Sequence, residues 1–137
     1  MLFLVMIKTQ DVSNNKLTSL PNSIGNLRGL KTLNVSHNNL TELPYTVGLL
    51  KKARMLDCTH NSLKEIPEEV GDMASLEQLY LRHNHITGLP VMRVSSSLKV
   101  RGMWGLSLVV VGNMVTIMIL MMTIDLQRFI KLCAGET

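Results

Sequence analysis

Three histidines, His37, His60 and His83, stand 23 residues apart, and each is followed by an asparagine. Imidazoles at a fixed period invite two chemistries. They change charge near neutral pH, and they ligate borderline divalent metals. If the period is that of neighbouring strands, the rings lie about 5 Å apart. His85 and the carboxylate of Asp57 would then stand close by. A row of side chains along a nearly flat sheet does not converge three ligands on one ion, so no metal site is expected. The expectation is an exposed strip in a turn, whose functional role would be contact with a partner.

Nucleophilic chemistry fares worse. Ser36 and His37 are adjacent, but a nucleophile needs a positioned base and a third group that orients it. No such group is evident. The chain also has no glycine-rich phosphate loop and no HExxH pair. Neither an enzyme nor a cofactor is expected.

The histidines belong to a larger frame. Asn15, Asn38, Asn61 and Asn84 recur at the same interval, as do Pro21, Pro44, Pro67 and Pro90. The second copy reads LKTLNVSHNNLTELPYTVGLLKK from Leu30 to Lys52, and the third reads ARMLDCTHNSLKEIPEEVGDMAS from Ala53 to Ser75. The first copy, from Ile7 to Gly29, has Gln10 where the others carry Leu33, Leu56 and Leu79. The fourth keeps LEQLYLRHNHITGLP from Leu76 to Pro90 and then loses the pattern. Length, amide, proline and apolar positions return together, which a chance apolar periodicity does not produce.

Each copy predicts a short strand. Leu33 and Val35 point to one side, with Asn34 and Ser36 on the other. The corresponding inward residues are Leu56 with Cys58 and Leu79 with Leu81. One copy cannot bury this set alone, so the copies must stack into a parallel sheet with a shared core. The asparagines are expected to be structural, pairing backbone groups where the chain leaves the strand. The prolines suit the bend that follows, since they lack an amide donor. Ile24-Gly25, Val47-Gly48 and Val70-Gly71 then mark a short helical or irregular segment on the opposite, convex side, with glycine permitting close backbone passage.

Over Ile7 to Pro90, these leucines, asparagines and proline-glycine segments make the chain resemble the leucine-rich repeat family, in its 23-residue intracellular class with LPxxIGxL segments. The resemblance implies an α/β solenoid with its parallel sheet on the concave side. It also implies a non-enzymatic binding scaffold whose partners are other proteins. The outward strand positions form columns: Asp11, Asn34, Asp57 and Tyr80, then Ser13, Ser36, Thr59 and Arg82, then Asn14, His37, His60 and His83. Asn34, Asp57, Tyr80, Arg82 and the three column histidines are the candidate contacts. The repeated serines are expected to offer hydroxyls to a partner.

A formal charge of +4, with acids interspersed among the bases, excludes little by itself. Lys51, Lys52 and Arg54 form the densest basic cluster, but no aromatics interleave with it. Nucleic acid is not an expected partner. Cys58 reads as a small buried hydrophobe, and cysteine-rich caps are absent, which favours cytoplasmic repeats. Cys133 is followed by four residues and makes no prenylation box.

Two apolar stretches lie outside the frame. Residues 1–6 are expected to form an N-terminal extension or cap over the open end of the array. Met103 to Ile124 carries no charged side chain. As a helix its length would match a bilayer's hydrocarbon core, with Trp104 at one end as an interfacial anchor. A transmembrane helix is the favoured reading, with a packed cap or a non-native tail as alternatives. A fifth strand cannot be recovered from VSSSLKVRGMWGL without breaking the frame. The expected partition is therefore repeats over 7–92 (7–29, 30–52, 53–75 and 76–92), a linker or degenerate repeat over 93–102, a membrane helix over 103–124 and a tail over 125–137. On that reading the chain is a protein-binding scaffold with cytoplasmic repeats and a single-pass anchor in a lipid bilayer. Its alternatives are a structural membrane component and a fragment of a longer array.

Overall fold

In the computed structural model, the described residues are 6–87 and three later strands, within 99–121. Strands β1 (Thr9–Asp11), β2 (Thr32–Asn34), β3 (Met55–Asp57) and β4 (Gln78–Tyr80) pair in parallel, each with the next. The register steps by one whole repeat: Gln10 lies opposite Leu33, Leu33 opposite Leu56, and Leu56 opposite Leu79. Backbone pairing continues past the strand ends, with the amides of Val12, Val35 and Cys58 donating to the carbonyls of Asn34, Asp57 and Tyr80. Equivalent residues are thereby stacked in columns, and the inward columns form the core. Leu33, Leu56 and Leu79 are fully buried, as are Val35, Cys58 and Leu81 beside them.

On the convex side, 3₁₀ helices span Asn22–Asn26, Tyr45–Leu49 and Glu68–Asp72. Pro21, Pro44 and Pro67 precede them with φ between −70° and −64°. The proline ring presets that φ, and its missing amide leaves no donor stranded at the helix start. Their amides donate to carbonyls three residues back, as Ile24 to Pro21, Val47 to Pro44 and Val70 to Pro67, which makes these turns 3₁₀. Glycine is required where adjacent helices touch. A Cβ on Gly25 would lie 2.7 Å from the carbonyl oxygen of Thr46, and one on Gly48 would lie 2.7 Å from that of Glu69.

The asparagine column joins the repeats where the strands end. Asn61 Nδ2 donates to the carbonyls of Cys58 and Thr59 in its own repeat and to Val35 in the preceding one. Its Oδ1 accepts the amide of Leu40. Asn38 and Asn84 repeat this arrangement on Val12 with Leu17 and on Cys58 with Leu63. Asn15 keeps only the contacts within its own copy, to Val12 and Ser13. One side chain thus satisfies backbone groups of two repeats, which a hydrophobic residue could not do.

The C-terminal stretch departs from expectation. Strand β5 (Lys99–Met103) pairs in parallel with β4, placing Lys99 opposite Gln78 and Arg101 opposite Tyr80. That step is shorter than the repeat, so a search in the 23-residue frame misses it. Strands β6 (Leu106–Val109) and β7 (Met118–Met121) follow in antiparallel pairing, giving a seven-stranded sheet in chain order. The transmembrane helix over Met103–Ile124 is therefore incorrect, because its described parts are strands. Among the described residues no helix is long and apolar enough to cross a membrane. The physical reason is that a short apolar run has no period to separate helix from strand, while Val and Ile favour the pleated surface. The antiparallel pairing carries the backbone hydrogen bonds instead. Most of the expected N-terminal cap and the expected tail over 125–137 lie outside the described residues.

Candidate functional site

The concave face is built from the residues that alternate with the buried leucines. Asp11, Asn34, Asp57 and Tyr80 lie opposite one another in register, flanked by Thr9, Thr32, Met55 and Gln78. The first column has a structural role that its spacing did not reveal. Asp11 Oδ1 accepts the amide of Ser13 at 2.9 Å, Asn34 Oδ1 that of Ser36 at 3.0 Å, and Asp57 Oδ1 that of Thr59 at 2.9 Å. Each is an Asx turn that bends the chain out of its strand. The Thr59 hydroxyl also donates to Asp57, and Asn34 Nδ2 donates to Asp11 Oδ2 at 3.3 Å. The hydrogen bonds from Ser13, and less so that from Asn34, hold the Asp11 carboxyl below its ordinary value despite a small opposing cost of desolvation.

Tyr80 breaks this pattern. Its hydroxyl donates to Gln78 Oε1 at 3.1 Å, leaving the ring half-exposed on the sheet. Arg82, two residues on, is exposed. Ser36 is mostly buried, at 6 % exposed.

The histidines form a continuous stack along that rim. The ring centroids of His37 and His60 are 4.3 Å apart with 14° between planes, and those of His60 and His83 are 4.0 Å apart with 20° between planes. The backbone explains the placement. Asn14, His37, His60 and His83 all have φ between 53° and 55°, a left-handed conformation that asparagine and histidine adopt more readily than most residues. The same φ in every repeat aims every ring the same way. His60, with a ring against each face, loses water, and this holds its pKa below the ordinary imidazole value. The neighbouring charges of His83, His37 and Arg82 act in the same direction, with Asp57 opposing them. Among the described residues no three His, Cys, Asp or Glu side chains gather where they could hold a metal ion. Parallel rings direct their nitrogens side by side, which accounts for this.

A second margin lies where the strands begin, and sequence reasoning missed it. Lys8, Lys31 and Arg54 are exposed there, followed by Glu77. Their backbones stack: the amides of Lys31, Arg54 and Glu77 donate to the carbonyls of Lys8, Lys31 and Arg54. Arg54 Nε lies 3.9 Å from Glu77 Oε1. Arg54 is therefore separated from its sequence neighbour Lys51, whose ammonium donates to the carbonyl of Asp72 on the convex side. The available signal was the column itself, one position before each strand.

The pattern of the leucine-rich repeat region matches residues 4–89, well over half of the chain. The chain belongs to the leucine-rich repeat family. Comparison with curated proteins finds no match. Among solved structures, this leucine-rich repeat protein is similar to the LRR protein LIC12759 of Leptospira interrogans, with 36 % identity and a TM-score of 0.57. The similarity covers 58 % of this chain and 20 % of that protein, so the chain spans about a fifth of its length. Family and strand register together are those of a leucine-rich repeat protein with a parallel sheet whose alternate residues are solvent-facing.

Proposed function

We propose that the chain is a protein-protein interaction module of the 23-residue intracellular class with LPxxIGxL segments, acting through the concave face of its sheet. Its binding residues are Tyr80 and Arg82, supported by Asp57, Asn34 and the rim histidines His37, His60 and His83. The carrying observation is that the strand register sets Asn34, Asp57 and Tyr80, one from each successive repeat, opposite one another. Solenoids present such extended faces to partners. Tyr and Arg supply the large contact area and directed hydrogen bonds typical of interface hot spots. The working partition is repeats at 7–29, 30–52, 53–75 and 76–92 behind a short N-terminal extension. The free, buried thiol of Cys58 suits a reducing, cytoplasmic setting for them.

Proximity labelling in cells compares the wild type with a Tyr80→Ala, Arg82→Ala double variant at equal expression. The expected result is the loss of specific labelled proteins from the variant. An unchanged set would remove the concave face from the proposal.

A further inference from the structure

We propose that the concave face takes an extended acidic peptide segment between two cationic margins, and that the stacked imidazoles are the margin which acid completes. One margin is permanently basic over three repeats, at Lys8, Lys31 and Arg54. The other, at the opposite ends of the strands, is the column His37, His60 and His83, all exposed at their edges and stacked at 4.0–4.3 Å. At the second margin the permanent charge is Arg82, beside the column. Acid adds charge to imidazole side chains, so this margin offers one potential cation per repeat.

Protonating such a stack in the free protein is opposed, because the new charges face one another. The groups facing His60 are His37 and His83 above and below, Arg82, which adds repulsion, and Asp57, which relieves it. Asn14 prolongs the column without charge, and His85 is exposed two residues after His83 in the chain. A carboxylate lying along the stack supplies the missing counter-charge, so its binding and protonation strengthen each other. Asp11 and Asp57 run between the margins and would repel a uniformly charged polyanion. An extended peptide avoids this: its side chains alternate, so acidic ones reach the margins while backbone amides face the central carboxylates. That geometry favours a peptide over a nucleic acid, whose phosphates repeat along one line.

The test uses the full chain and a fluorescein-labelled ten-residue oligo-aspartate, followed by anisotropy at pH 7.5, 6.5 and 5.5 in low salt. Aspartate remains ionised throughout this range. Binding is expected to tighten by at least about tenfold from pH 7.5 to 5.5, the effect of taking up a net proton over part of that span. The triple variant His37→Asn, His60→Asn, His83→Asn should lose the pH dependence. Asparagine is suited to this backbone, since Asn14 already occupies it at φ 55°. The converse variant Asn14→His lengthens the stack and should steepen the dependence. Absence of oligo-aspartate binding at every pH would overturn the inference, as would an undiminished pH effect in the triple variant. Equal affinity for oligothymidylate would replace the peptide by a nucleic acid and overturn it too. The inference rests on the concave-face reading, which the labelling experiment at Tyr80 and Arg82 tests separately. Failure with oligo-aspartate while that labelling still changes removes only the acidic partner.

Discussion

The first and third repeats share one motif and differ in what it does. In the third, Leu56, Cys58 and Leu63 are fully buried, and Asn61 is bonded to backbone on both sides of the repeat boundary. In the first, Gln10 replaces the strand leucine, and Val12, Leu17, Leu20 and Ile24 are only partly buried against the core. Asn15 is exposed and bonds only to Val12 and Ser13. A repeat thus acquires most of its stability from the units stacked against it, as in a one-dimensional array. The same letter in the motif has a different energetic weight at each place along the stack.

The sharpest way to break this comparison is in the core. Leu56→Ala leaves a cavity enclosed by repeats on both sides and should destabilise the protein by about 2–5 kcal/mol. Leu20→Ala, at a partly exposed site, should cost distinctly less. Equilibrium urea unfolding measures both. Equal losses would mean that the first repeat is as tightly enclosed as the third.

The asparagines offer a second test of smaller size. Asn61→Ala strands the buried amide of Leu40, with an expected cost of about 1–3 kcal/mol, while the carbonyl of Val35 keeps its bond from Asn38. For Asn15→Ala, water can replace the lost side-chain bonds, so a loss within roughly 1 kcal/mol is expected. Hydrogen exchange locates the difference, since the Leu40 amide should lose protection in the first variant and keep it in the second. If both variants lose the same stability, the bonds across the boundary carry no special weight.

The repeats were legible in the sequence because several independent requirements recur at one interval. Leu56 needs a core, Asn61 needs backbone to satisfy, Pro67 needs a donor-free bend, and all return together in the second, third and fourth copies. Gly48 is legible in the same way, since the convex helices approach too closely for a side chain. The C-terminal strands were not legible, because Leu106–Val109 and Met118–Met121 are apolar runs whose structure is set by pairing with other strands. Nor was Lys99–Met103, whose register follows β4 at a shorter step than the repeat. In the candidate site, the columns and the histidine row could be read from spacing alone. The left-handed φ that stacks the rings could not, and neither could the turn that Asn34 makes with the amide of Ser36.

The smallest expected effect concerns pH and again separates the inner repeats from the first, where Asn14 stands in place of a histidine. The folded pKa of His60 lies below the ordinary imidazole value of about 6.5, chiefly because its stacked neighbours exclude water. The unfolded chain therefore binds more protons than the folded one just beneath that pH, and stability rises with pH across the window. The contribution is fully present above about pH 6.5 and is lost as pH falls through the folded pKa. His60→Asn should flatten this slope, so its urea midpoint should fall less than the wild type's between pH 7.5 and 5.5. Asp11 gives no confusion there, because its lowered carboxylate pKa places its own loss of stability at more acid pH, below about 4. An identical fall in both proteins would show that the neutral stack contributes nothing to the folded state. A smaller fall in the variant would show that acid strains the stack, and an acidic partner laid along the rim would relieve that strain by neutralising the charge it creates.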